Sequence, residues 1–116
     1  MIVAVLVILG VGALFLALRP DTTGSSEEPR ERDLDVRIVE GEMDPREVSA
    51  VEGDSVTLNV STDEPVEVHL HGYDIEREVE PDEPTSISFD ADLTGRFEIE
   101  DHETEAVLGT LVVRPR

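Results

Sequence analysis

His69 and His71 stand two residues apart in the run VEVHLHGYD, residues 66–74. On a β-strand successive side chains alternate between faces, so both imidazoles share one face, opposite Val66, Val68 and Leu70. Their backbones are then roughly 7 Å apart, close enough for both rings to converge on one ion. His102 follows a separate run containing Phe97 and Ile99, and the chain holds no other histidine. Coming from a different strand, His102 is the ligand that closes such a site. His69, His71 and His102 are therefore the candidate metal ligands. An all-imidazole donor set suits Cu(II), and also zinc or nickel. The same three residues also fit an ordinary wetted face, charge-paired with Glu67, Asp74, Asp101 and Glu103.

Other residue patterns carry less chemistry. Asp101-His102 with a nearby serine would mimic a hydrolase triad, but no serine sits on a recognisable nucleophile turn. Glu98 and Glu100 share a strand face and form a possible carboxylate pair, or simply a solvated face. Asn59-Val60-Ser61 is a glycosylation sequon at an expected strand end. Tyr73, the sole tyrosine, reads as a core or corner residue. No catalytic residue is assigned, and binding rather than enzymatic turnover is expected.

Composition narrows the partners. The chain has 28 Asp+Glu against 9 Lys+Arg, a formal net charge of -19, and all nine cations are arginine. Nucleic acid and anionic lipid both need a basic patch, so neither is expected as a partner. With no cysteine there is no disulfide, no thiolate metal ligand and no thiol nucleophile. Dense carboxylates without lysine match a halophilic surface, soluble in concentrated salt that screens its self-repulsion.

The elements that must position the histidines follow from period-two alternation. Leu34, Val36 and Ile38 alternate with Asp35 and Arg37; Val56, Leu58 and Val60 alternate with Thr57 and Asn59. The pattern recurs at 66–71, 87–89, 97–100 and 107–113, with turn signals between at Gly41, Asp44-Pro45, Gly53-Asp54, Asp63 to Pro65, Pro81 to Pro84 and Thr94-Gly95. About seven short strands over residues 34–116 predict an all-β, antiparallel β-sandwich with a solvated outer face.

Upstream, residues 1–18 are apolar throughout and would make a helix of roughly 27 Å, just enough for a bilayer core. They read as an uncleaved transmembrane anchor; a signal peptide is the competing reading, without a basic start or a good cleavage site. Residues 19–33 read as a flexible, acidic tether. The boundary of the folded domain is expected between residues 30 and 36. Arg19 on the C-terminal flank would by itself place the domain inside.

The run from Val66 to Pro115 resembles the cupredoxins, small copper-binding Greek-key β-sandwiches. VEVHLHGYD (66–74), SISFDADLTGRFEIEDH (86–102) and LGTLVV (108–113) carry the resemblance, with DPREVSAVEGDSVTLNV (44–60) similar to the opening strands. Aligning His102 on the family's second histidine puts Ile99 at the copper-ligand Cys position and Val107 at the Met position, with Gly109 as the closing glycine. The resemblance implies metal binding at a site stripped of its thiolate. Blue-copper electron transfer is then excluded, because that chemistry needs the sulfur. It also implies a domain working outside the cytoplasm, at the cell membrane. The expected function is copper binding for storage or handover. The alternative is a metal-free interaction module docking on a membrane or surface protein.

Overall fold

The structure, a computed structural model, describes residues 28–116. The expected anchor over 1–18, and the tether as far as residue 27, lie outside the described residues. Among the described residues no helix is long and apolar enough to cross a membrane. The described residues form nine strands: β1 (Glu31–Val39), β2 (Glu42–Asp44), β3 (Glu47–Val51), β4 (Ser55–Thr62), β5 (Val66–Leu70), β6 (Ile75–Val79), β7 (Thr85–Asp90), β8 (Gly95–Asp101) and β9 (Val107–Arg114). They build a four-stranded sheet ordered β2-β1-β4-β7 and a five-stranded sheet ordered β3-β9-β8-β5-β6.

Alternation decides which side of each strand is buried. In β4, Val56, Leu58, Val60 and Thr62 turn inward; in β5, Val66, Val68 and Leu70 do so. The aliphatic ones among these meet Val36, Ile38, Ile87, Ile99, Leu111 and Val113 in one shared core. Each fully buried aliphatic side chain contributes about 1.5–3 kcal/mol relative to exposure.

The all-β sandwich stands as the alternation predicts, but two strand pairs are parallel rather than antiparallel. β1 runs parallel to β4, from Glu31 opposite Ser55 to Ile38 opposite Thr62. β3 runs parallel to β9, from Glu47 opposite Thr110 to Val51 opposite Arg114. The physical reason is that alternation fixes the face of a side chain, not the direction of the neighbouring strand. A parallel neighbour needs a crossover. Here the chain leaves β1 through β2, passes to the other sheet at β3, and returns as β4. The strand count also exceeds the sequence expectation. β6, with the sequence IEREV, has only two apolar residues and lies at a sheet edge, where charged side chains oppose pairing with other chains.

Asp54 ties the ends of the sandwich together. Only 1% exposed, its carboxylate accepts hydrogen bonds from the backbone N–H of Arg30 (3.0 Å) and Val51 (3.0 Å). The guanidinium groups of Arg32 and Arg116 donate to it as well, each at 3.2 Å. The start of β1, the end of β3 and the C-terminus thus meet on one carboxylate. Burial alone would raise its pKa. The hydrogen bonds from Val51, Arg30 and Arg32 outweigh burial and hold it below the ordinary 3.8. Arg30 and the first residues of β1 are upstream of Leu34, so the strand draws in residues that read by composition as tether.

Candidate metal centre

β5 lies between β6 and β8 and pairs antiparallel with both. His69 stands opposite Glu76 on β6 and opposite Glu100 on β8. Directly opposed residues share a sheet face, so this row of three points outward while Val68, Leu70 and Ile99 point into the core. The same outward face carries Glu67, opposite Glu78. A histidine set among carboxylates on one face favours a cation electrostatically.

The other two histidines lie just past strand ends, held there by backbone bonds. His71 is the first residue after β5, and its N–H donates to Glu98 O at 3.0 Å. His102 is the first residue after β8, and its N–H donates to Glu67 O at 2.8 Å. The following turn is closed by Glu105 N–H donating to Asp101 O at 2.8 Å. At the β5–β6 turn, Gly72 has φ of +84°, and a Cβ there would come within 2.3 Å of the Phe97 ring. Only glycine fits that approach.

All three rings gather around His69. The ring centroids of His69 and His71 are 4.5 Å apart, tilted by 48°. Those of His69 and His102 are 5.6 Å apart, edge to face at 87°. The ligand atoms fall into two sets, each with every atom within 4.8 Å of the others: His69, His71 and Glu100; and His69, Glu76 and His102. His71 and His102 do not share a set. The rings border an open depression of about 190 Å³ lined by His69, His71, Glu100, Asp101, His102 and Glu105.

Donor geometry within the sets is informative. His69 Nε2 and His71 Nε2 are shut off from solvent and make no hydrogen bond. His71 Nε2 lies against Glu100 Oε1, in an ion-pair contact without hydrogen-bond geometry. His69 Nε2 is 3.5 Å from Asp74 Oδ1, and His102 Nδ1 is 3.5 Å from Glu76 Oε1. A buried polar atom without a partner costs about 1–3 kcal/mol. Coordination of a cation would remove that cost at both nitrogens. Two imidazoles and a carboxylate form a donor set that fits Cu(II), zinc or nickel, and it contains no sulfur.

The sequence model of a family described as a cupredoxin-like domain matches residues 5–113. The chain belongs to this cupredoxin-like family. Solved structures agree on the fold. The novel purple cupredoxin from Nitrosopumilus maritimus superposes with a TM-score of 0.55 at 12% identity, covering 70% of this chain and 99% of its own. The metal-binding domain of the Cu(I)-exporting P-type ATPase CopA of Streptococcus pneumoniae D39, solved with Cu(I), gives 0.58 at 17% identity, covering 72% and 94%. A chain from the cryo-EM structure of a heme-copper terminal oxidase dimer gives 0.61 at 15% identity, covering 97% and 95%. No curated protein sequence matches the chain.

Within this cupredoxin-like frame, the positions aligned to the blue-copper Cys and Met are far from equivalent to ligands. Ile99 is 2% exposed and turned into the core, on the opposite face from His69. Val107 is 43% exposed. Gly109, the closing glycine, has a packing reason. A Cβ there would meet Arg46 O and Met43 Sδ, each at 2.6 Å.

Sequence reasoning missed Glu76 altogether and read Glu100 only as a partner of Glu98. Glu100 was findable, since it stands only two residues before His102. Glu76 becomes visible only once β6 is recognised as the strand that returns beside β5. The remaining candidates find structural roles. No serine is among the residues lining the depression beside Asp101 and His102. Asn59 Nδ2 donates to Asp33 (3.2 Å) and Asp35 (3.1 Å), and its Oδ1 accepts from Ser86. Tyr73 Oη donates to Leu93 O at 2.7 Å and accepts from Leu93 N–H at 3.1 Å, with its ring against Phe89 and Phe97. Burial pushes its pKa up; the Leu93 backbone bond lowers it, and the charge of Asp92 raises it again.

Proposed function

We propose that this cupredoxin-like domain binds copper through His69, His71 and His102, with Glu100 and Glu76 completing the donor sets. The observation that carries this reading is the pair of solvent-shielded, unbonded nitrogens, His69 Nε2 and His71 Nε2, beside the Glu100 carboxylate. Storage or handover is the role, because the chain has no thiolate to tune copper for blue-copper electron transfer. Copper-binding neighbours of the same fold, the CopA metal-binding domain with Cu(I) among them, support copper over zinc or nickel. Residues 1–18 anchor the domain in the cell membrane, and the domain works outside the cytoplasm.

A second reading has one observation behind it. The terminal-oxidase chain matches nearly the whole length of this one. On that reading the domain is a metal-free module docking on a membrane protein. One experiment separates the two. The full chain, without a histidine tag, is titrated with Cu(II) against a mild chelator, beside the variant with His69, His71 and His102 all replaced by alanine. Copper binding predicts a loss of at least a hundredfold in affinity. Equal binding by the two proteins removes the metal reading and leaves the docking module. Metal analysis of protein isolated from its own membrane identifies the ion.

A further inference from the structure

Two ligand sets around one shared imidazole suggest more than a single fixed site. We propose that His69 serves two alternative positions for one cation: an inner one with His71 and Glu100, and an outer one with His102 and Glu76. The ion passes between them without leaving the chain. This rests on the copper-binding reading above and specifies how that site would hand its ion over.

Each set has ligand atoms within 4.8 Å of one another, and His69 is the residue common to both. His71 and His102 are on different sides of it, past the ends of β5 and β8, so a single ion does not gather all three imidazoles in this arrangement. The two positions differ in access. The Glu100 side chain is 17% exposed, and His71, although its ring is partly exposed, turns a solvent-shielded Nε2 inward. In the outer set, His102 is 53% and Glu76 45% exposed. His69, at 16%, is the half-buried pivot.

Chemistry follows from that asymmetry. The inner position also engages the solvent-shielded Nε2 of His71, which makes no hydrogen bond, and so has the larger gain from holding a cation. The outer position offers a cation to solvent, or to an incoming ligand on another protein. Moving between them exchanges one imidazole and one carboxylate for another of each. The donor types and the total ligand charge are unchanged, so no oxidant, reductant or net proton is required. His69 keeps hold throughout.

Single alanine variants of the full chain test this, with Cu(II) as the probe and circular dichroism confirming the fold. The native chain should bind one Cu(II). His71→Ala and His102→Ala should each still bind one, with affinities within about tenfold of native and with two different electron paramagnetic resonance spectra. His69→Ala should lose at least a hundredfold. His102→Ala should also release copper to an excess of chelator at least tenfold more slowly than native, since its exit position is gone. Three outcomes overturn the two-position arrangement while copper binding stands. They are equal, severe losses in His71→Ala and His102→Ala, two copper ions per native chain, and an unchanged release rate in His102→Ala. If His69→Ala binds as tightly as native, the copper-binding reading itself fails.

Discussion

Glu100 on β8 faces His69 on β5 directly across the sheet, while its carboxylate Oε1 lies against Nε2 of His71. One carboxylate is thus shared between the two imidazoles whose nitrogens have no hydrogen bond. Glu100→Gln removes the charge and keeps the shape. It should weaken Cu(II) binding roughly tenfold in a chelator competition, in the range seen when groups supporting a metal site are removed. Glu98→Gln, in neither ligand set, should change affinity less than about twofold, the same measurement serving as control. Equal effects from both would reduce Glu100 to one of many surface charges.

How much of this was legible in the sequence follows from the same strands. His69 and His71 fall on one face because alternation on β5 is unbroken, and that much needs no structure. Glu76 was hidden because β6 reads as charge, with Ile75 and Val79 as its only apolar residues. The parallel pairing of β1 with β4 was hidden for a deeper reason. Hydrophobic alternation records burial, and burial is the same whichever way the neighbour runs. Family resemblance gave the sandwich, yet it placed Ile99 in register with a ligand, whereas the pleat turns Ile99 to the core.

That pleat makes a prediction about colour. The strong absorption of blue copper is thiolate-to-copper charge transfer, so copper on the native chain should give only weak visible bands. Ile99→Cys supplies the missing sulfur at the aligned position, but on the opposite face of β8 from His69. Copper-loaded Ile99→Cys should therefore stay without an intense band, and should be destabilised by about 1–2 kcal/mol through lost core volume. An intense charge-transfer band in that variant would show that the histidines and residue 99 converge after all.

Salt should stabilise the domain. The formal charge of -19 falls beyond the uncharged first 18 residues, and so at or near the sandwich. Raising ionic strength from 0.1 to 1 M shortens the Debye length from about 10 Å to about 3 Å, which removes most repulsion between surface carboxylates. A gain of about 2 kcal/mol is expected, or roughly 10 °C in melting temperature for a domain of this size. Thermal melts in potassium chloride measure it. A domain equally stable in dilute buffer would rule out a halophilic adaptation.

Acid should act in the opposite direction at one site. Asp54 is buried, accepts four hydrogen bonds, and has its pKa held below the ordinary 3.8. A carboxylate with a folded-state pKa below its unfolded one binds protons more readily when unfolded. Its stabilising contribution is therefore complete well above pH 3.8 and is lost as pH falls through that value toward the depressed one. Acidification also relieves repulsion among the other carboxylates, so native stability alone does not isolate Asp54. The difference between native and Asp54→Asn does. At pH 7 the variant leaves Arg32 and Arg116 facing a neutral amide, and about 3 kcal/mol should be lost, as when one partner of a buried ion pair is removed. As pH falls through 3.8 toward the depressed folded-state value, the native carboxyl takes up its proton and comes to resemble the amide. The gap should then close. Urea unfolding of both proteins across that range tests the argument, and a gap that stays constant would mean that Asp54 holds the sandwich ends by shape and hydrogen bonding rather than by charge.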